Sequence, residues 1–213
     1  MHSTEKIKNI IFDFGGVILN IDYQLTVNAF KEIGLADFEK LYSKAAQIDL
    51  FDNLEKGLIS PKDFRNGIRD VSGKNLSDES IDYAWNKIIL DLPEKRVSLL
   101  KQLKKIYRTF LLSNTNKIHY DIYITDLQKL GYNNFNDIFE KAYFSHEIGM
   151  RKPNKEFFEL VLQDQQLIPK ETLFIDDSIQ HIEAAKNIGI ITYHLSHNKN
   201  ITDIFDKGYN LII

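Results

Sequence analysis

The segment Ile10-Ile11-Phe12-Asp13-Phe14-Gly15-Gly16-Val17 runs from apolar residues straight into one carboxylate, and two glycines follow. A short apolar run without alternation predicts a strand buried on both faces. Such a strand delivers Asp13 to the carboxyl edge of a sheet, where open α/β sheets bind their ligands. The glycines let the chain turn sharply and bring its backbone close to a ligand. Taken alone, the segment reads equally well as a strand, a Gly-Gly turn and a capping Asp13.

The rest of the chain supplies the context. From Tyr23 to about Ile89 the pattern is helical: Leu25, Ala29, Phe30 and Ile33 share one face, and Phe38, Leu41, Tyr42 and Ala45 share another. Ser60-Pro61 predicts one helix start, and Ser77 with Asp78 and Glu79 predicts a second, carrying Ile81, Trp85 and Ile88. No strand pattern interrupts this block, so it reads as an all-helical insertion. After Pro93, strands and helices alternate. Strands are expected at Tyr107–Leu112, Ala142–Phe144, Thr172–Ile175 and Ile190–Tyr193, with helices between them. Repeated strand–helix units imply a parallel sheet with helices on both faces. The fold expected is therefore α/β and Rossmann-like, with residues 1–20 and 91–213 forming the core. A small helical cap, residues 21–90, follows the first strand.

Three further strands run into polar groups. Leu111-Leu112 is followed by Ser113-Asn114-Thr115-Asn116, Phe174-Ile175 by Asp176-Asp177-Ser178, and Tyr143-Phe144 by a loop containing Gly149-Met150-Arg151-Lys152-Pro153. Parallel strands present their carboxyl ends on one side, so these groups can converge on Asp13. Together they suit phosphoryl transfer. Asp13 can serve as nucleophile. Ser113 and Asn114, at a helix start, suit phosphate oxygens. Lys152 supplies a compact positive charge. Two carboxylates beside an anionic substrate cost about 4 kcal/mol per close like-charge pair at an intermediate dielectric. A bound Mg²⁺ reverses that sign and makes Asp176 and Asp177 hard oxygen ligands. Each group also has a plain structural reading: Ser113 as a helix cap, Lys152 as a solvated loop residue, Asp176-Asp177-Ser178 as a capping cluster. His119, His146 and His181 read as solvated or capping histidines.

Other properties narrow the choice. The chain has 213 residues, enough for one substantial domain or a core with a small insertion. A formal net charge of −3 gives no general pull toward nucleic acid or an anionic membrane. The lack of cysteine excludes disulfides and cysteine–metal sites and fits a reducing compartment. Met1 to Asn9 is polar, without the apolar core of a signal peptide, so a cytoplasmic location is expected.

In this order, the four strand-end motifs resemble those of the haloacid dehalogenase superfamily of phosphohydrolases. Phe12-Asp13-Phe14-Gly15-Gly16-Val17 resembles its first motif and Leu112-Ser113-Asn114-Thr115-Asn116 its second. Lys152-Pro153 resembles the third, and Phe174-Ile175-Asp176-Asp177-Ser178 the fourth. Gly16-Val17-Ile18, Ile21-Asp22-Tyr23 and Gly149-Met150-Arg151-Lys152-Pro153 are similar to a bacterial subgroup of alpha-glucose-1-phosphate phosphatases. The resemblance implies Asp13 and Lys152 as catalytic residues. It also implies Mg²⁺ on Asp13, the Gly15 carbonyl, Asp176 and Asp177, and a small phosphorylated metabolite, such as a sugar phosphate, as substrate. The chain departs from the family at Gly15, where most members carry an aspartate that protonates the leaving oxygen. Candidate substitutes are Asp22, which reads equally well as a helix cap, His181 and bulk water. Without an acid, aryl and anomeric phosphates should react better than alkyl phosphates. Two other readings stand beside the phosphatase: an L-2-haloacid dehalogenase, which needs no metal, and a non-catalytic binding protein. Tyr23, Phe51, Leu54 and Glu55 are expected in the wall of the pocket.

Overall fold

The computed structural model describes residues 7–36 and 49–212. Five parallel strands form one sheet: β1 (Asn9–Phe12), β2 (Arg108–Ser113), β3 (Lys141–Phe144), β4 (Thr172–Asp176) and β5 (Ile191–His194), in the spatial order β3-β2-β1-β4-β5. The chain starts in the centre, builds outward through β2 to β3, then crosses to β4 and β5 on the other side. The order therefore reverses between β1 and β4, and a crevice opens at that point at the carboxyl edge.

Both faces of the sheet are covered, which is why its inner strands read as unbroken apolar runs. Ile10, Phe12, Leu111, Leu173 and Ile175 pack toward Val97, Leu100 and Leu103 of α5 (Glu94–Leu103) and Tyr123 and Leu127 of α6 (Lys117–Lys129). The alternate residues Ile11, Phe110, Leu112 and Phe174 pack toward Phe157, Phe158 and Val161 of α8 (Lys155–Asp164) and Ile182 and Ala185 of α9 (Ile179–Asn187). A short α7 (Ser145–Ile148) follows β3. The C-terminal stretch turns through a 3₁₀ helix at Ile201–Ile204, whose Ile201 and Ile204 join the first of these cores.

The helical block has its own core. It contains α1 (Tyr23–Glu32), α2 (Leu50–Glu55), α3 (Pro61–Ser72) and α4 (Asp78–Asn86). Phe30, Leu54, Phe64, Ile68 and Ile81 are buried together there, and Ile118 of α6 reaches in from the sheet side. The expected helix starts are present. Ser60 caps α3 in a capping box with Asp63, with Pro61 in the first turn, and the Ser77 side chain accepts from Ser80 N–H. One face differs from its reading: Leu25 is exposed and Thr26 is buried in its place, donating to the Trp85 carbonyl at 3.2 Å. Phe38, Leu41, Tyr42 and Ala45 lie outside the described residues. Where the chain passes into and out of the block, Ile21 and Ile89 form an antiparallel bridge. Asp22 N–H donates to the Ile88 carbonyl at 2.8 Å and Leu90 N–H to Asn20 at 3.0 Å. Two adjacent strands of chain thus make a narrow neck between block and core.

Candidate active site

Asp13 stands one residue beyond β1, and its N–H continues the ladder to the Ile175 carbonyl at 2.9 Å. Phe14 then accepts two hydrogen bonds, from Ile18 and Leu19 N–H at 2.8 Å each, so the chain folds back at once. Gly16 makes this possible. Its φ is +77°, and a Cβ there would lie 2.1 Å from Asp177 Oδ2. Gly15 is different: a Cβ would meet only Ile21, at 3.4 Å, in ordinary contact.

Lys152 is the centre of the charge arrangement. Its Nζ donates to Asp13 Oδ1 at 2.7 Å and to Asp176 Oδ2 at 2.7 Å, and the side chain is 0% exposed. Burial by itself would push the ammonium down. The two carboxylates outweigh it and hold Lys152 above its ordinary value. The loop that carries it is clamped by Asn114, whose Oδ1 accepts from Lys152 N–H at 2.9 Å while its Nδ2 donates to the Lys152 carbonyl at 2.8 Å. One Asn114 N–H is left over. Asp176, also fully buried, accepts further from Ser178 N–H at 2.7 Å and lies 3.0 Å from His181 Nδ1. Burial and the neighbouring Asp176 push Asp177 up. Asp13, Asp176 and Asp177 each offer an oxygen within 4.8 Å of the others. Ionised together, three carboxylates against one ammonium would leave two negative charges uncompensated, and hard oxygen donors so close together fit a divalent cation.

These residues meet at a cavity of about 680 Å³ between the sheet edge and the helical block. Asp13, Gly15, Ser113, Asn114 and Asp177 line it from the sheet side; Tyr23, Phe51, Glu55 and Trp85 line it from the block. Lys152 and Asp176 lie behind this lining, Lys152 bonded to Asp13 and Asp176 bonded to Lys152. Leu54 does not reach it, being buried in the core of the block. Asp22 does not either: its side chain caps α1, accepting from Gln24 N–H at 2.8 Å. Ser113 is no helix cap, because Asn116 caps α6 by accepting from Ile118 and His119 N–H. The solvated reading of Lys152 is likewise corrected, since a flanking loop carries it into the interior.

Two histidines also depart from their sequence reading. His119 is buried with both ring nitrogens engaged, at 3.1 Å from Asn116 Nδ2 and 3.1 Å from the Trp85 carbonyl, and it stacks on the Trp85 ring. Burial pushes it down to about 4, so it is neutral. His146 packs among Tyr120 and Phe144 and is also pushed down to about 4 by burial. The sequence reading missed Ser145, whose buried hydroxyl accepts from Thr115 N–H and donates to the Thr115 carbonyl, both at 2.8 Å, fixing the loop after β2. It also gave no role to Arg151. Neither carries a local signal, since both act across loops far apart in sequence.

Sheet order, crevice and converging carboxylates define a class of hydrolase, and a model of the haloacid dehalogenase-like hydrolase family matches residues 7–189. The chain belongs to this family. It is 36% identical over 187 residues to the D-ribitol-5-phosphate phosphatase of Bacteroides thetaiotaomicron, covering 88% of this chain and 91% of that one. A family enzyme from the same species, solved in complex with magnesium and inorganic phosphate, has a TM-score of 0.85 and 39% identity, covering 94% of this chain and 100% of that one. The L-2-haloacid dehalogenase of Xanthobacter autotrophicus has a TM-score of 0.59 at 18% identity, covering 89% of this chain and 77% of that one, a likeness of fold alone. Among the described residues no helix is long and apolar enough to cross a membrane.

Proposed function

We propose that this protein is a Mg²⁺-dependent phosphatase that hydrolyses a small phosphomonoester, a sugar or sugar-alcohol phosphate, through an aspartyl-phosphate on Asp13. The observation that carries this reading is the cluster of Asp13, Asp176 and Asp177 around one buried Lys152 at the floor of a roofed cavity. Asp13, Asp177 and the Gly15 carbonyl would hold Mg²⁺, with Asp176 helping directly or through water. When bound, Mg²⁺ neutralises the carboxylates and the incoming phosphate and stabilises charge on the transferring group.

The chain's own residues do the rest. An Asp13 oxygen attacks phosphorus and the bond to the leaving oxygen breaks. Lys152 holds the Asp13 carboxylate in place and offsets charge as it moves. The Ser113 hydroxyl and the remaining Asn114 N–H hold phosphate oxygens. Water then attacks the aspartyl-phosphate, releases inorganic phosphate and restores Asp13. Residues 21–90 act as a cap that excludes bulk water and shapes the leaving-group pocket, hinged at the neck beside Ile21 and Ile89. The likeness to a ribitol-5-phosphate phosphatase favours an alkyl leaving group. That revises the preference for aryl and anomeric phosphates expected from Gly15 and calls for a substitute acid.

Hydrolysis of p-nitrophenyl phosphate with and without Mg²⁺ tests the reading. Turnover should require the metal; equal turnover after EDTA treatment, or halide release from 2-haloacids instead, overturns it. A panel of phosphorylated metabolites then identifies the substrate. Gly16→Ala tests the metal position. The substitution puts a side chain at positive φ, a cost of about 1–2 kcal/mol, and drives it into Asp177. Disturbing a residue that orients a ligand typically costs about 10–100-fold in metal affinity. The Mg²⁺ concentration for half-maximal activity should rise accordingly, and an unchanged value would remove Asp177 from the metal site.

A further inference from the structure

We propose that Glu55, on α2 of the helical block, protonates the leaving oxygen and then takes the proton of the attacking water; this rests on the phosphatase reading above. A sugar or sugar-alcohol leaves as an alkoxide, which is too basic to depart readily without a proton. Gly15 offers no side chain for that task. A side chain that does so has to come from elsewhere on the cavity wall.

Among the described residues, the other titratable groups that line the cavity are less well placed. Asp13 and Asp177 belong to the nucleophile and the cation. Both nitrogens of His119 are engaged. Tyr123 is buried, and burial pushes its phenol up, away from any useful range. Tyr23 is 72% exposed. His181 sits on the phosphate side, its Nδ1 3.0 Å from both oxygens of Asp176. Glu55 enters from the opposite wall, which a leaving group must face when its phosphate lies against Asp13 and Ser113.

Glu55 is also positioned by the catalytic loop itself. Its Oε2 lies 2.8 Å from Arg151 Nη2, in an ion pair too poorly aligned to be a hydrogen bond. Arg151 is fixed in turn by Asp52 Oδ1 at 2.7 Å and is chain neighbour to Lys152. Glu55 itself lines the cavity. Among the described residues, besides Asp52 on its own helix, the charges that act most on Glu55 are those of Arg151 and Lys152. Burial pushes the carboxyl up and outweighs the pull of Arg151, the direction in which a general acid is tuned. Once the proton has gone, Arg151 stabilises the carboxylate.

The two steps balance. First, an Asp13 oxygen bonds to phosphorus, the bond from phosphorus to the leaving oxygen breaks, and the Glu55 proton passes to that oxygen. Next, a water oxygen bonds to phosphorus, one water proton passes to Glu55, and the Asp13–phosphorus link breaks. Both carboxyl groups return to their starting state.

Glu55→Gln tests this, read as kcat on D-ribitol 5-phosphate, pentyl phosphate and p-nitrophenyl phosphate with saturating Mg²⁺. General acid catalysis contributes about 10²–10⁴-fold. The loss should be about 10²-fold or more on both alkyl substrates and under about threefold on the nitrophenyl ester, whose leaving group needs no proton. The high-pH limb of the alkyl pH–rate profile should disappear, and Glu55→Asp should recover part of the activity. A loss equal on all three substrates means a structural role and overturns the proposal. A loss on ribitol phosphate alone means hydroxyl recognition and overturns it too. So does a selective alkyl loss in His181→Asn with Glu55→Gln near wild type. If wild type with Mg²⁺ hydrolyses none of the three, the phosphatase reading itself fails.

Discussion

Asp13→Asn should lower turnover by about 10⁴-fold or more while leaving the protein folded, because an amide oxygen cannot form the phosphoryl ester and no nearby group replaces it. The side chain keeps its shape, and Lys152 retains Asp176 as a partner at 2.7 Å. Stability should respond in an informative direction. In the metal-free protein, burial pushes Asp13 up to about 7, opposed by Lys152 and reinforced by Asp176 and Asp177. A carboxyl raised on folding holds a proton that the unfolded chain has released. Asp13's contribution to wild-type stability therefore falls as pH climbs from about 4 to about 7. Asparagine removes that dependence. With EDTA present, the melting temperature of Asp13→Asn should equal or exceed that of wild type at pH 8 and should rise less on adding Mg²⁺. Activity within tenfold of wild type would end the covalent mechanism, and a steep loss of stability would mean that the charge cluster is misjudged.

Lys152→Met should be the second most damaging change, and it should act twice. Removing one preorganised electrostatic contact from such a site costs about 10²–10³-fold in rate. The buried geometry requires more: Asp13 and Asp176 would face each other without the ammonium between them, and Asp176 is fully buried. Breaking a buried pair by removing one partner costs about 3–5 kcal/mol. The urea midpoint should fall accordingly at pH 8, and Lys152→Met with Asp176→Asn should recover part of it, since the two changes share one interaction. A rate loss under threefold, or an unchanged midpoint, would return Lys152 to the status of a loop residue.

Much of the site was legible because its parts lie where local patterns are strongest. Asp13, Ser113 and Asp176 each sit at the end of an apolar run, so the strand assignment also located the residue at the sheet's edge. The caps at Ser60, Ser77 and Asp22 were readable for the same reason: a capping side chain bonds to backbone two or three residues away. The histidines were not. His119 carries the local sequence of a helix start, and only its approach to Trp85, 34 residues away, makes it a buried neutral tie between core and helical block. Glu55 and Arg151 are 96 residues apart and meet only because the block folds over the sheet edge.

What the sequence by itself determined is the parallel α/β core, the helical insertion and the set of polar groups at the strand ends. All of these follow from apolar periodicity and local backbone preference. Only the tertiary structure decided how the charges are shared. It buried Lys152 between two carboxylates, left Asp13 and Asp177 to face the cavity, and brought Glu55 to the opposite wall. The reason is physical. Periodicity is set by neighbours along the chain, whereas charge state and pairing depend on burial and on distances of a few ångströms between residues that only folding brings together.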